Sequence, residues 1–124
     1  MAAPNIVNVT TIIGKTAVVN LTTTSATAVV SNPAASNKVF KINTLIVSNV
    51  DGNSAYDITV SLYSAAAAGG TATEIASTVS VPPDSTLVVL DKSTGIYLEE
   101  DKSIGAIASS VSKLKVVCSY EEIS

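Results

Sequence analysis

Polar and apolar residues alternate with a period of two in three stretches of this chain. Tyr56, Ile58, Val60 and Leu62 alternate with Asp57, Thr59, Ser61 and Tyr63. Ile75, Ser77, Val79 and Val81 share one face between Glu74, Ala76, Thr78 and Ser80. Leu114, Val116, Cys118 and Tyr120 alternate with Lys115, Val117, Ser119 and Glu121. Side chains on a pleated strand point to opposite faces in turn, so each stretch predicts a half-buried strand. Less regular apolar runs predict further strands at Ile6–Ile13, Thr16–Leu21, Thr27–Val30, Val39–Val50, Thr86–Leu90 and Ile104–Ala108. No window of ten or more residues carries an apolar stripe at helical spacing. Ala65–Ala68 has helix propensity, but it runs straight into Gly69-Gly70, which is expected to form a loop tip.

Turn residues separate these runs. Gly14-Lys15, Asn32-Pro33, Asp51-Gly52-Asn53, Gly69-Gly70, Pro82-Pro83-Asp84 and Ser93-Thr94-Gly95 combine fixed or left-handed φ with side chains that hydrogen-bond their own backbone. About eight or nine short antiparallel strands with turns roughly every ten residues predict an all-β, single-domain β-sandwich or jelly roll. No linker or charge run divides the chain, so residues 1–124 form one domain. Residues 1–13 are expected to act either as an edge strand of that domain or as an N-terminal arm that adds to a neighbouring sheet.

Composition supports a packed β protein. Of 124 residues, 47% are hydrophobic and only 14% charged, against about 25% charged in ordinary domains. The apolar share is mostly Val, Ile, Leu and Ala, and Ser and Thr supply much of the polar surface. Such side chains suit pleated surfaces. No apolar run approaches the roughly 20 residues of a membrane-spanning helix, and the N-terminus lacks the basic and apolar regions of a secretory signal. A cytoplasmic site of synthesis is therefore expected. On that expectation, Asn8-Val9-Thr10 and Asn20-Leu21-Thr22 are not read as glycosylation sites.

Charge argues against nucleic acid as a partner. The net charge is −3, the seven basic residues are dispersed lysines, and there is no arginine to read bases or phosphates bidentately. Catalytic chemistry is also poorly supplied. With no histidine, Ser-His-Asp and Cys-His nucleophiles are excluded, as are most zinc sites. Cys118, the single cysteine, lies in a strand on the face of Leu114 and Val116 and is expected to be a small core residue. The carboxylates Asp51, Asp57, Glu74, Asp84, Asp91, Glu99, Glu100, Asp101, Glu121 and Glu122 fall mainly in turns and edges, where solvation accounts for them. Asp51-Gly52-Asn53 offers oxygen ligands for Ca²⁺ but reads better as a turn. Glu99-Glu100-Asp101 reads as a solvated turn before the Ile104 strand. No catalytic, cofactor-binding or metal-binding residue is assigned, and no enzyme is expected.

Several segments taken in order carry a family likeness. Asn43-Thr44-Leu45-Ile46-Val47-Ser48-Asn49 is followed by Asp51-Gly52 and the strand Tyr56–Tyr63. Val81-Pro82-Pro83-Asp84-Ser85-Thr86-Leu87 and Ile96-Tyr97-Leu98-Glu99-Glu100-Asp101 come next, then Ile104–Ser109 and the closing Val116–Ser124. The chain resembles small virion structural proteins of tailed bacteriophages, above all those of marine cyanophages with contractile tails. The likeness covers residues 39–124 and, more loosely, the N-terminal third. Where related proteins carry Gly-Asp in a tight turn, this chain has Glu100-Asp101-Lys102. The resemblance implies a capsid decoration or cement protein located in the virion. Its partners would be the major capsid protein or other virion proteins, and a cyclic homo-oligomer such as a trimer is expected. A neck, collar or tail component is the nearest alternative. A carbohydrate- or surface-binding adhesion module is the alternative of another class, with Tyr56, Tyr63, Tyr97 and Tyr120 as its available rings.

Overall fold

A computed structural model describes residues 4–124. The described residues form nine strands: β1 (Ile12–Asn20), β2 (Thr27–Asn32), β3 (Val39–Asn49), β4 (Tyr56–Ala65), β5 (Gly69–Val81), β6 (Thr86–Leu90), β7 (Ile96–Leu98), β8 (Lys102–Ala108) and β9 (Leu114–Ile123). The one helical element among the described residues is a single 3-10 turn, Lys92–Thr94, capped by the Asp91 side chain. The larger sheet runs β1-β9-β3-β6, with β7 also paired to β3, and the smaller runs β2-β8-β4-β5. Every pairing is antiparallel. Successive strands alternate between the sheets, except for the β4–β5 hairpin and the β6–β7 pair that shares one edge. First and last strands lie side by side. This is jelly-roll topology, the second of the two architectures the strand spacing allowed.

The core fills the space between the sheets. Leu21, Ile42, Leu45, Val47, Ile58, Val60, Val81, Leu98, Ile104, Leu114, Val116 and Cys118 are fully buried in it. Two asparagines close the sandwich at strand ends. Asn32, the last residue of β2, donates through Nδ2 to the carbonyls of Lys38 and of Leu98 at the end of β7. Asn49, the last residue of β3, donates in the same way to the carbonyls of Ser54 and of Val81 at the end of β5. Each amide therefore ties one sheet to the other.

Several expectations from the sequence are corrected. The expected strands Ile6–Ile13 and Thr16–Leu21, with a turn at Gly14-Lys15, are replaced by one strand beginning at Ile12. Gly14 and Lys15 sit within β1, opposite Glu121 and Tyr120 of β9. Nine consecutive pairs to β9 outweigh the local turn preference of one glycine. Ile6–Thr11 lie outside any strand, and Met1–Ala3 of the expected arm fall outside the described residues.

The loop tip between β4 and β5 is Ala66–Ala68, and Gly69-Gly70 already belong to β5. Within β5 the predicted alternation breaks. Ile58 opposes Val79 but Val60 opposes Ala76, so a bulge around Ser77-Thr78, with Thr78 at φ 50°, brings Ala76 onto the core face. Ile75 is left 38% exposed. Ile96–Leu98, expected only as part of a family motif, pairs with β3 as β7. At the Glu100-Asp101-Lys102 turn, Asp101 adopts φ 55°. Aspartate tolerates that left-handed conformation better than most residues, and its carboxylate accepts a hydrogen bond from the Ala66 amide.

Candidate interaction surface

The outward side of the larger sheet is built from residues that alternate with its core positions. Val18 pairs with Val117, Val117 with Ile46, and Ile46 with Val88. Their sequence neighbours Ala17, Val19, Val116, Cys118, Leu45, Val47, Leu87 and Val89 all pack in or against the core. By the period of two, these four β-branched side chains form one row across the outer face. The ends of the row are open, with Val18 68% and Val88 57% exposed. On one side lie Asn20, Lys115, Ser48 and Thr86, and on the other Thr16, Ser119 and Thr44. Lys115 is the only charge in these rows, and its ammonium reaches Asn20 Oδ1 at 3.2 Å.

One edge of this sheet is β1, whose ladder to β9 runs from Ile12 to Asn20 without a register shift. Ile12 and Ile13 are 57% and 49% exposed. The chain entering β1 is held to the C-terminus, where the Thr10 and Thr11 amides donate to the Ser124 carbonyl at 2.7 and 2.9 Å. Before that anchor, Asn5 Oδ1 accepts from the Val7 amide, forming a local turn that leaves Val7 90% exposed.

Several charged groups are engaged within the chain. Glu122, 8% exposed, bonds both Lys15 and Lys38 at 2.9 Å. Those two ammonium groups, Lys38 first, hold its carboxyl below the usual range. The Asn53 amide, the Tyr56 hydroxyl and Lys113 do the same for Asp51. Hydrogen bonds from Ser93 and Thr94 lower Asp91. The Asp51 oxygens weighed as Ca²⁺ ligands and set aside in favour of a turn are bonded to Asn53, Tyr56 and Lys113. Glu100 accepts from the Asn37 amide and Asp101 from Ala66. Among the described residues no three His, Cys, Asp or Glu side chains gather as a metal site.

These shifts have a sign. A carboxyl whose folded value is depressed adds stability that is present above its ordinary value and is lost as pH falls through the folded one. Stability is therefore expected to drop as pH is lowered below about 4, the ordinary carboxylate range. Thermal melts across that range check this, and Glu122→Gln is expected to flatten the dependence.

Cys118 is fully buried in the core, and burial pushes its thiol up to about 12. A thiol so placed does not react. Native protein is expected to resist thiol reagents, with labelling appearing at the denaturant midpoint seen by circular dichroism. Of the tyrosines proposed as sugar platforms, Tyr56 packs against the core and donates to Asp51, Tyr63 is buried, and Tyr120 stacks at 5.3 Å from Phe40. Tyr97 alone presents an open ring, at 49% exposure. An open depression of about 330 Å³ is lined by Leu62, Tyr63, Ser64, Thr71, Thr73 and Lys102. It lacks the convergent, paired carboxylates of a hydrolytic site.

No protein-family model matches the chain, and no curated protein does. Among solved structures it is similar to a protein of Bacillus endospore appendages, described as a novel family of disulfide-linked pili. The TM-score is 0.51 at 13% identity, over 92% of this chain and 88% of that one. At that identity the likeness bears on the fold. The linkage named for those pili has no accessible thiol to match it here, since the single cysteine is enclosed in the core.

Proposed function

We propose that the chain is a non-enzymatic structural subunit acting through protein contacts, set in the virion of a tailed phage, where it decorates or cements the capsid shell. The outer face of the larger sheet carries this reading. It presents the Val18–Val117–Ile46–Val88 row flanked by rows of Ser, Thr and Asn in which Lys115 is the one charge, with Lys41 and Glu121 a row further out. Depletion of charge around an apolar centre is what distinguishes the core of a protein interface from ordinary surface. Rigid strands present these side chains with little rotamer freedom to lose on docking. The absence of histidine from the sequence, the enclosed Cys118 and the engaged carboxylates support a role without catalysis. The virion setting rests on the segment likeness over residues 39–124. The jelly roll accommodates this role but hosts many others.

The test is cryo-electron microscopy of the virion of the encoding phage, with Val88→Lys as a comparison. Density for this chain at regular shell positions, lost in Val88→Lys, is expected. Density confined to the portal vertex or tail would move the protein to the neck or tail. Virions lacking the chain altogether would sink the proposal and reopen an adhesion role.

A further inference from the structure

A sheet edge exposes a row of unpaired backbone amides and carbonyls, and soluble proteins usually blunt it with bulges, short strands or charge. Three of the four edges here are blunted in that way. The β5 ladder is interrupted by three register shifts and carries the Thr78 bulge and Glu74. The β2 ladder shifts between Ala28 and Val30 over a six-residue strand. The remaining edge of the larger sheet is divided between the five-residue β6, with its own shift, and the three-residue β7. β1 has none of these devices. It pairs in unbroken register over nine residues and exposes Ile12, Ile13 and Val18.

Charge does not guard the β1 edge either. It has no acidic residue, and its one lysine, Lys15, is held by Glu122 of its own chain at 2.9 Å. Two copies carrying −3 each can therefore approach along β1 without opposing unpaired like charges, whereas the same pairing along β5 would bring the two Glu74 carboxylates close together on either side of the axis. A ring or fibre requires β1 to find a different edge on its neighbour, and the other three are irregular. The regular edge best matched to β1 is a second β1.

We propose that a second copy of this chain adds its β1 to the open edge of β1, antiparallel across a two-fold axis, merging the two larger sheets into one continuous sheet. An interface of one patch with itself closes at two subunits. This names the first partner of the structural subunit proposed above and in that sense rests on that reading. Full-length pairing places Thr16, the middle residue of β1, at the axis. In that register Val18 opposes Gly14 and Ile13 opposes Val19 of the second copy.

The experiment combines native mass spectrometry with thiol cross-linking on the full chain. Because Cys118 is enclosed, an introduced cysteine is the only accessible thiol. The full chain is expected to be dimeric at high micromolar concentration and Val18→Lys monomeric, with an unchanged far-ultraviolet spectrum. Val88→Lys, which alters the same face at the opposite edge of the sheet, is expected to remain dimeric. Thr16→Cys is expected to give a disulfide-linked dimer on mild oxidation, and Ser80→Cys on β5 is not. A monomer at every concentration, a trimer or open-ended polymer, or a dimer that Thr16→Cys fails to cross-link would each overturn the proposal. If the protein is monomeric yet occupies the shell, self-pairing alone falls. If it is dimeric yet missing from the virion, the virion role falls and the β1 interface stands.

Discussion

Asn49→Asp is expected to destabilise the protein by about 3 kcal/mol or more at neutral pH, since buried acceptors left without a partner cost about 1–3 kcal/mol each. Asn49 is 2% exposed, and its Nδ2 holds the Ser54 and Val81 carbonyls at 2.9 and 3.0 Å. Its Oδ1 accepts from the Asp51 amide at 2.9 Å. A carboxylate keeps the acceptor role but has no proton to donate, so two carbonyls would face a buried negative oxygen. Asn49→Ala removes the donor without adding the charge and is expected to cost less, about 2 kcal/mol. The two variants should also differ in pH response. In Asn49→Asp, burial beside carbonyls raises the folded-state value of the new carboxyl above its ordinary range. The protonated form is then favoured in the folded state, and the deficit relative to the native chain grows as pH rises through the ordinary carboxylate range. Urea unfolding at several pH values, with Asn49→Ala in parallel, measures this. Equal costs for the two variants would show that the amide protons contribute little.

Gly105→Val is expected to cost about 3 kcal/mol, at the upper end of overpacking effects. A Cβ at Gly105 would lie 2.8 Å from Tyr63 Cε2, 3.0 Å from the Thr27 carbonyl oxygen and 3.3 Å from Ala68 Cβ. The ring is 6% exposed on the outward side of β4, so it has little room to withdraw, and the Thr27 backbone is paired to β8. The turn around Ala68 cannot easily lift away. The Ala67 amide donates to Ser31 Oγ, the Ala68 amide to Ser103 Oγ, and Ser103 Oγ in turn to the Ala65 carbonyl. Combining Gly105→Val with Tyr63→Ala should give a total well below the sum of the single costs, because the ring is the first obstacle. Strict additivity in chemical denaturation would place the strain against the Thr27 backbone instead.

Both sites show how far the sequence could be read. The alternation in β4 and β9 and the long apolar run of β3 were legible because a strand with one buried face must repeat with a period of two. Cys118 was legible as core for the same reason. Gly105 gave no such signal, because the atoms that demand a glycine come from β4, from β2 and from the turn before β5. Asn32 looked like a turn residue beside Pro33, and Asn49 looked like an ordinary position near the end of the Val39–Val50 strand. Their role as ties between sheets depends on Leu98 and Val81, far along the chain. The Val18–Val117–Ile46–Val88 row was invisible for a related reason: all three pairings that build it, β1 with β9, β9 with β3 and β3 with β6, join strands distant in sequence.

Local pattern by itself determined the all-β class, most of the strand positions, the burial of Cys118 and the poverty of catalytic groups. Each depends on side-chain type or on a period of two within one segment. Only the tertiary structure decided the single strand through Gly14-Lys15, the bulge that exposes Ile75, the asparagine ties and the unblunted β1 edge. These follow from which strands become neighbours, and in a jelly roll nearly every neighbour is distant in sequence. Pairing energy gathered along a whole ladder then overrides the local preference of any one glycine or isoleucine.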